Sequence, residues 1–195
     1  MTAGGMRAAT DPPAGKFFRL SQLRKLRDCE QVAAVCYRVR GAGIEFLLVQ
    51  TRNSGRWTFP KGGTEPGLTH AQAAALEAFE EAGVHGRMEE ASFARYLRRK
   101  RGDTADKNLA VNAHLCEVTR LDPPQELNRN RTWFAADKAK QRLREGRAPE
   151  YGAELARVVD RATIRIQRLR GGANLSSDGM PKVRLTVIEN ARRAE

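Results

Sequence analysis

The chain has 195 residues, enough for one well-filled core and short for two domains. Its 35 lysines and arginines outnumber 23 aspartates and glutamates, giving a net charge of +12 that favours polyanionic partners. No apolar run approaches the roughly 18 residues of a membrane span. Cys29, Cys36 and Cys116 are odd in number and lack CxxC spacing, which reads as reduced thiols in a cytoplasmic protein.

Met1 to Gly15 is small-residue and Pro-rich without the apolar core of a signal peptide. It opens a disordered lead, residues 1–18. Gln31–Arg38 and Ile44–Thr51 read as strands joined by the Gly41-Ala42-Gly43 turn. Trp57–Phe59 is a short strand that enters the glycine loop Pro60-Lys61-Gly62-Gly63. Thr69, with Gln72 three residues on, marks the capped start of a helix. Gly86–Lys100 and Leu109–Thr119 read as strands around a charged turn at Arg101–Lys107. After a Pro-containing loop come a short strand, Arg131–Phe134, and helices at Ala136–Glu145 and Glu150–Leu169. From Gly171 the chain reads as a linker and a basic tail with no place in a core, residues 171–195. Strands mixed with helices predict an α/β sandwich domain over residues 19–170.

The helix after Thr69 concentrates chemistry. Its other positions are mostly alanine, leucine and phenylalanine, a buried pattern. Its acidic residues, Glu77, Glu80 and Glu81, share one face at i, i+3 and i+4. They sit in its C-terminal half, where the helix dipole disfavours negative charge. By composition alone this is a solvated acidic face. Carried by a buried helix, it reads instead as a site for a hard divalent cation, which carboxylate oxygens favour. The histidines add little: His70 is expected to face solvent, and His85 and His114 to be structural.

The stretch from Gly62 to Val84 resembles the Nudix box, G-x5-E-x7-R-E-U-x-E-E-x-G-U, in which U is a bulky aliphatic residue. Gly62, Glu77, Glu80, Glu81, Gly83 and Val84 match. Leu68 and Leu76 stand where the box has its first glutamate and its arginine, and Ala78 is small for its position. The two leucines are expected to replace an ion pair by apolar contact, so that an arginine at 76 alone would bury an unpaired charge. The resemblance implies the Nudix α/β/α sandwich with a mixed sheet. It also implies hydrolysis of a phosphoanhydride with Mg²⁺ or Mn²⁺. The metal ligands it implies are the Lys61 carbonyl, Glu77 and Glu81, with Glu80 as general base.

Basic residues cluster about this box. Arg95 to Lys107 holds six basic against two acidic residues. Alone, such a run is a solvated surface or a nonspecific nucleic-acid patch; beside the box it suits a densely phosphorylated small molecule, since guanidinium binds phosphate bidentately. Thr51-Arg52 with Arg56-Trp57, E-E-A-G-V at Glu80–Val84, and Arg129-x-Arg131-x-Trp133-Phe134 are similar to diphosphoinositol polyphosphate phosphohydrolases over roughly residues 31–150. That likeness implies substrate contacts from Arg52 and its neighbour Thr51, from Lys100 and Arg101, from Arg129 and from Arg147. Dinucleoside polyphosphates are the near rival substrate, and hydrolysis of nucleoside-diphosphate derivatives is a further alternative. Capped RNA suits the basic tail less well. A catalytically silent phosphate or RNA binder is the rival of another class, with Leu68 and Leu76 for it and the intact glutamates against it.

Overall fold

The computed structural model describes residues 30–41, 43–100, 107–126, 129–173 and 185–187. Cys29, Arg101, the N-terminal lead and most of the basic tail lie outside these residues.

Strand β1 (Glu30–Arg40) is the axis of the sheet. It runs antiparallel to β2 (Gly43–Gln50) and parallel to β7 (Lys107–Leu121), in register from Glu30–Ala110 to Tyr37–Glu117. Val32, Ala34 and Cys36 face one core, and Ala33, Val35 and Tyr37 the other. Such a run, apolar on both faces, is what a strand covered from both sides requires. β3 (Trp57–Thr58) and β8 (Arg131–Ala135) pair with β2. β5 (Val84–Glu89) and β6 (Ala94–Lys100) both pair antiparallel with β7.

One face of this mixed sheet carries α1 (His70–Ala82). The other carries α2 (Ala136–Arg144) and α3 (Pro149–Ala173), through Leu143, Leu155, Val159 and Ile166. The expected α/β/α sandwich is therefore present. Alanines at 71, 73, 74, 75, 78 and 82 are buried, which brings the α1 backbone close to the sheet. The capping box forms as read. The Gln72 N–H donates to Thr69 Oγ1 at 3.2 Å, and the Thr69 N–H to Gln72 Oε1 at 2.8 Å. Gly83 ends the helix in the left-handed region at φ 61°. A Cβ there would lie 1.9 Å from the Asp122 carbonyl oxygen, so glycine is required for conformation and for space.

Four elements differ from the sequence reading. The loop at Lys61–Gly63 is a strand, β4, laid antiparallel on β1 with Lys61 opposite Ala33. The expected strand 86–100 is two, because Glu90–Ser92 interrupt the pairing with β7 before the Phe93 N–H rejoins it at the Ala113 carbonyl, 3.0 Å away. There His114 Nδ1 meets the Glu89 carbonyl at 3.1 Å. α3 continues through Gly171 to Ala173. Leu185–Val187, expected in a tail without a place in the fold, form β9 on the edge strand β5.

Cys36 and Cys116 are free, buried and opposite each other on β1 and β7. Among the described residues, no helix is long and apolar enough to cross a membrane.

Candidate active site

Three elements converge at the C-terminal half of α1. β4 passes beside it, and Gly62 makes the close approach possible: a Cβ there would fall 1.7 Å from Glu77 Oε1. The backbone N–H of Lys61 donates to Glu81 Oε2 at 3.2 Å. The segment between β7 and β8 closes the other side. The Glu126 N–H donates to the Glu80 carbonyl at 2.9 Å, filling one of the helix's terminal acceptors.

Glu81 is 3% exposed. Its Oε1 lies 2.6 Å from Nη2 of Arg129, itself nearly sealed from solvent. Arg129 also pairs through Nε with Glu126, and Glu126 Oε1 meets Arg52 at 3.1 Å. The result is an alternating chain of charge, Arg52–Glu126–Arg129–Glu81. Glu77 stands beside it, and among the described residues no cation lies within salt-bridge distance of it. Burial, then Glu81, Glu80 and Glu126, push its carboxyl up to about 7, with Lys61 opposing. Burial also raises Glu81, against Lys61 and Arg129. Lys61 is driven down to about 8, chiefly by burial, with Arg98 and Arg129 adding to it and Glu81 opposing.

Among the described residues, no three His, Cys, Asp or Glu side chains converge tightly enough to hold a metal ion as they stand. The expected ligand Glu81 is turned to Arg129 instead. The donor set still suits a hard cation. It is all oxygen, and Glu77 is raised by neighbouring carboxylates that a cation would neutralise.

A cleft of about 290 Å³ opens on the far side of Lys61. Arg56, Lys61, Arg98 and Arg147 line it with Thr51, Ser54, Thr58 and Tyr151. The structure thus separates the expected substrate residues. Thr51 and Arg147 line the cleft, whereas Arg52 and Arg129 face carboxylates. Arg147 is partly committed to the fold: Nη1 donates to the Leu143 carbonyl at 3.0 Å, and Nη2 to that of Trp57. The backbone of Lys100 ends β6 opposite Lys107; its side chain, like Arg101, lies outside the described residues.

Glu126, Arg98 and Tyr151 are site residues that the sequence reading did not select. Arg98 had a signal. On β6 it shares parity with buried Ala94 and Tyr96, so it turns inward while Arg95 and Leu97 turn out. Glu126 had none, since it sits in a loop whose path only the fold defines. Leu68 is 40% exposed, Leu76 half-buried, and neither belongs to either core. The histidines stand as read: His70 is exposed near Glu30, His85 meets Asp122 at 2.8 Å, and His114 is buried in the sheet.

The NUDIX domain profile matches residues 30–154. The chain belongs to the Nudix family. Nudix hydrolase 12, mitochondrial, of Arabidopsis thaliana is 32% identical over 102 residues, covering 49% of this chain and 50% of its own. This chain therefore spans about half the length of that relative. Among solved structures, a C. elegans Ap4A hydrolase in a binary complex superposes with a TM-score of 0.52 at 22% identity, covering 72% of this chain and 98% of that one. The NUDIX domain of Shewanella oneidensis NrtR, complexed with ADP ribose, gives 0.53 at 16% identity, covering 70% and 87%. These likenesses establish the Nudix fold for this chain.

Proposed function

We propose that the chain is a metal-dependent Nudix pyrophosphohydrolase that cleaves a phosphoanhydride in a highly phosphorylated substrate, a diphosphoinositol polyphosphate or a dinucleoside polyphosphate. One observation carries the reading: Glu77 and Glu81 of the box helix lie against β4, and Lys61 of that strand also lines a cationic cleft. Membership of the Nudix family and the likeness to a Nudix hydrolase support an enzyme.

Glu77, Glu81 and the Lys61 carbonyl would hold Mg²⁺ or Mn²⁺. When bound, the ion would polarise the phosphoanhydride and acidify water. Glu80 would orient the attacking water and accept its proton. Glu81 is fixed by the Lys61 N–H and Arg129, which sets the helix face against β4. Arg129 and Arg52 would exchange their carboxylate partners for substrate phosphate. Thr51, Arg147 and, beyond the described side chains, Lys100 and Arg101 would bind the rest of the polyanion. The buried thiols of Cys36 and Cys116 support a reducing compartment such as the cytoplasm.

The likeness to an Ap4A hydrolase favours the dinucleoside alternative in fold only. Leu68 and Leu76 favour the silent binder, as does the Glu81–Arg129 pair. The deciding experiment profiles hydrolysis of inositol pyrophosphates, dinucleoside polyphosphates, nucleotide sugars and capped RNA with Mg²⁺ and with Mn²⁺. Turnover fastest on the most phosphorylated compounds supports the proposal. Binding without turnover of any of them supports the silent binder.

A further inference from the structure

The cleft beside the glutamates has a composition of its own. Four cations, Arg56, Lys61, Arg98 and Arg147, share about 290 Å³, and among the described residues no carboxylate lines it. Like charges gathered around one space repel unless an anion joins them.

The walls are already fixed. Thr51 and Ser54 hydroxyls meet at 2.7 Å, the Arg56 N–H donates to Thr51 Oγ1 at 3.2 Å, and the Gly55 N–H to the Thr51 carbonyl at 2.9 Å. Arg98 is steadied by Gln31 Oε1 at 3.0 Å, and Arg147 by the backbone carbonyls of Leu143, Glu145 and Trp57. A site whose donors are held before the ligand arrives loses less entropy on binding.

The lining also discriminates. Tyr151 is the one aromatic ring among the described residues that line it, and that ring lies near the Arg147 guanidinium, 6.0 Å from centroid to Cζ. Its aromatic neighbour Tyr96, 6.5 Å away between centroids, is buried and outside the lining, so among the described residues no second ring of the cleft is placed to sandwich a base. Trp57, between the lining residues Arg56 and Thr58, packs edge-on against Phe134 at 5.0 Å. Donors for phosphate are plentiful, and surfaces for a nucleobase are few.

We propose that this cleft is a specificity site for a phosphate-bearing end of the substrate, a phosphate monoester or the free end of a phosphate chain, in preference to a nucleoside end. The inference rests on the phosphoanhydride-hydrolase reading and narrows it. Lys61 joins the two places: its backbone N–H holds Glu81, and its side chain lines the cleft. A ligand with one phosphate in the cleft can therefore present a neighbouring anhydride to the glutamates.

The test uses inorganic tripolyphosphate as probe, titrated calorimetrically into the full chain with chelator present. The proteins are wild type, Glu81→Gln and Arg56→Gln/Arg98→Gln. Wild type and Glu81→Gln should bind alike. The double variant should bind about tenfold more weakly or worse, the scale of one charge-assisted hydrogen bond. Arg56 is exposed, so Arg56→Gln alone serves if the double variant does not fold. In turnover, the double variant should lose more kcat/KM on an inositol pyrophosphate than on diadenosine tetraphosphate. Equal tripolyphosphate affinity in wild type and the arginine double variant overturns the cleft proposal, as does an equal loss on both substrates. Arginine-dependent binding by a wild type that hydrolyses nothing overturns the enzyme reading and leaves the anion site standing.

Discussion

Arg129 and Glu81 form a nearly sealed ion pair, 2.6 Å between Nη2 and Oε1, at the point where α1 would take a cation. The pair and the proposed metal would compete for the same carboxylate. Removing one member of a buried pair leaves the other charge without compensation. Arg129→Ala should therefore destabilise the metal-free protein by on the order of 3 kcal/mol. Saturating Mn²⁺ should recover much of that loss. Urea unfolding with chelator and with Mn²⁺ measures both quantities. Equal stability of variant and wild type without metal would show that the pair contributes nothing.

Gly62→Ala tests the close approach of β4. The new methyl would fall 1.7 Å from Glu77 Oε1, the end of a flexible side chain that can swing aside. Stability should change little. Turnover should fall by about 10²-fold, the scale of a 1 Å misplacement in a catalytic group. Undiminished kcat with an unchanged melting temperature would mean that Glu77 is not needed where it stands.

Much of this was legible in the sequence. The box helix, its Thr69 cap and the strands on either side follow from periodicity and capping chemistry, and they are local properties. The partners of Glu81 are not. Glu126 and Arg129 lie more than forty residues from it in a loop without periodicity, and they reach it only because β7 and β8 bring that loop to the end of α1. Gly62 was legible as glycine; that its missing side chain makes room for Glu77 was not. Leu68 and Leu76 misled because replacing a charge pair with leucines suggests burial, whereas Leu68 lies at the surface.

Glu77 should write a pH dependence into the metal-free protein. Its folded carboxyl titrates at about 7, above its ordinary 4.5. Between those values the folded state keeps a proton that the unfolded state has released. Stability should therefore decline as pH rises from about 4.5 to about 7 and level off beyond. Subtracting the curve of Glu77→Gln isolates this contribution, since other groups titrate in both. Unfolding free energies at pH 5 and pH 8, with chelator, give the difference. A wild-type slope matched by that of Glu77→Gln would rule out the raised carboxyl.

The half-buried position of Leu76 changes what Leu76→Arg should do. An arginine there can extend its guanidinium towards water. The cost should stay under about 1 kcal/mol, and adding Leu68→Glu should change it by no more than a surface pair contributes. Thermal unfolding of the single and double variants checks this. A single-variant loss of about 3 kcal/mol rescued by the second substitution would instead mark a buried pair.

Glu81→Gln addresses the enzyme itself. It keeps the side chain's volume and its contact with the Lys61 N–H, and it removes one charge from the glutamate face. The measurement is initial-rate phosphate release from the best substrate at saturating Mg²⁺ or Mn²⁺, with melting temperature as the folding control. Turnover should fall by at least about 10²-fold, as when a main electrostatic contributor to a transition state is deleted. A folded variant within about threefold of wild type, far short of such a deletion, would contradict catalysis by the box.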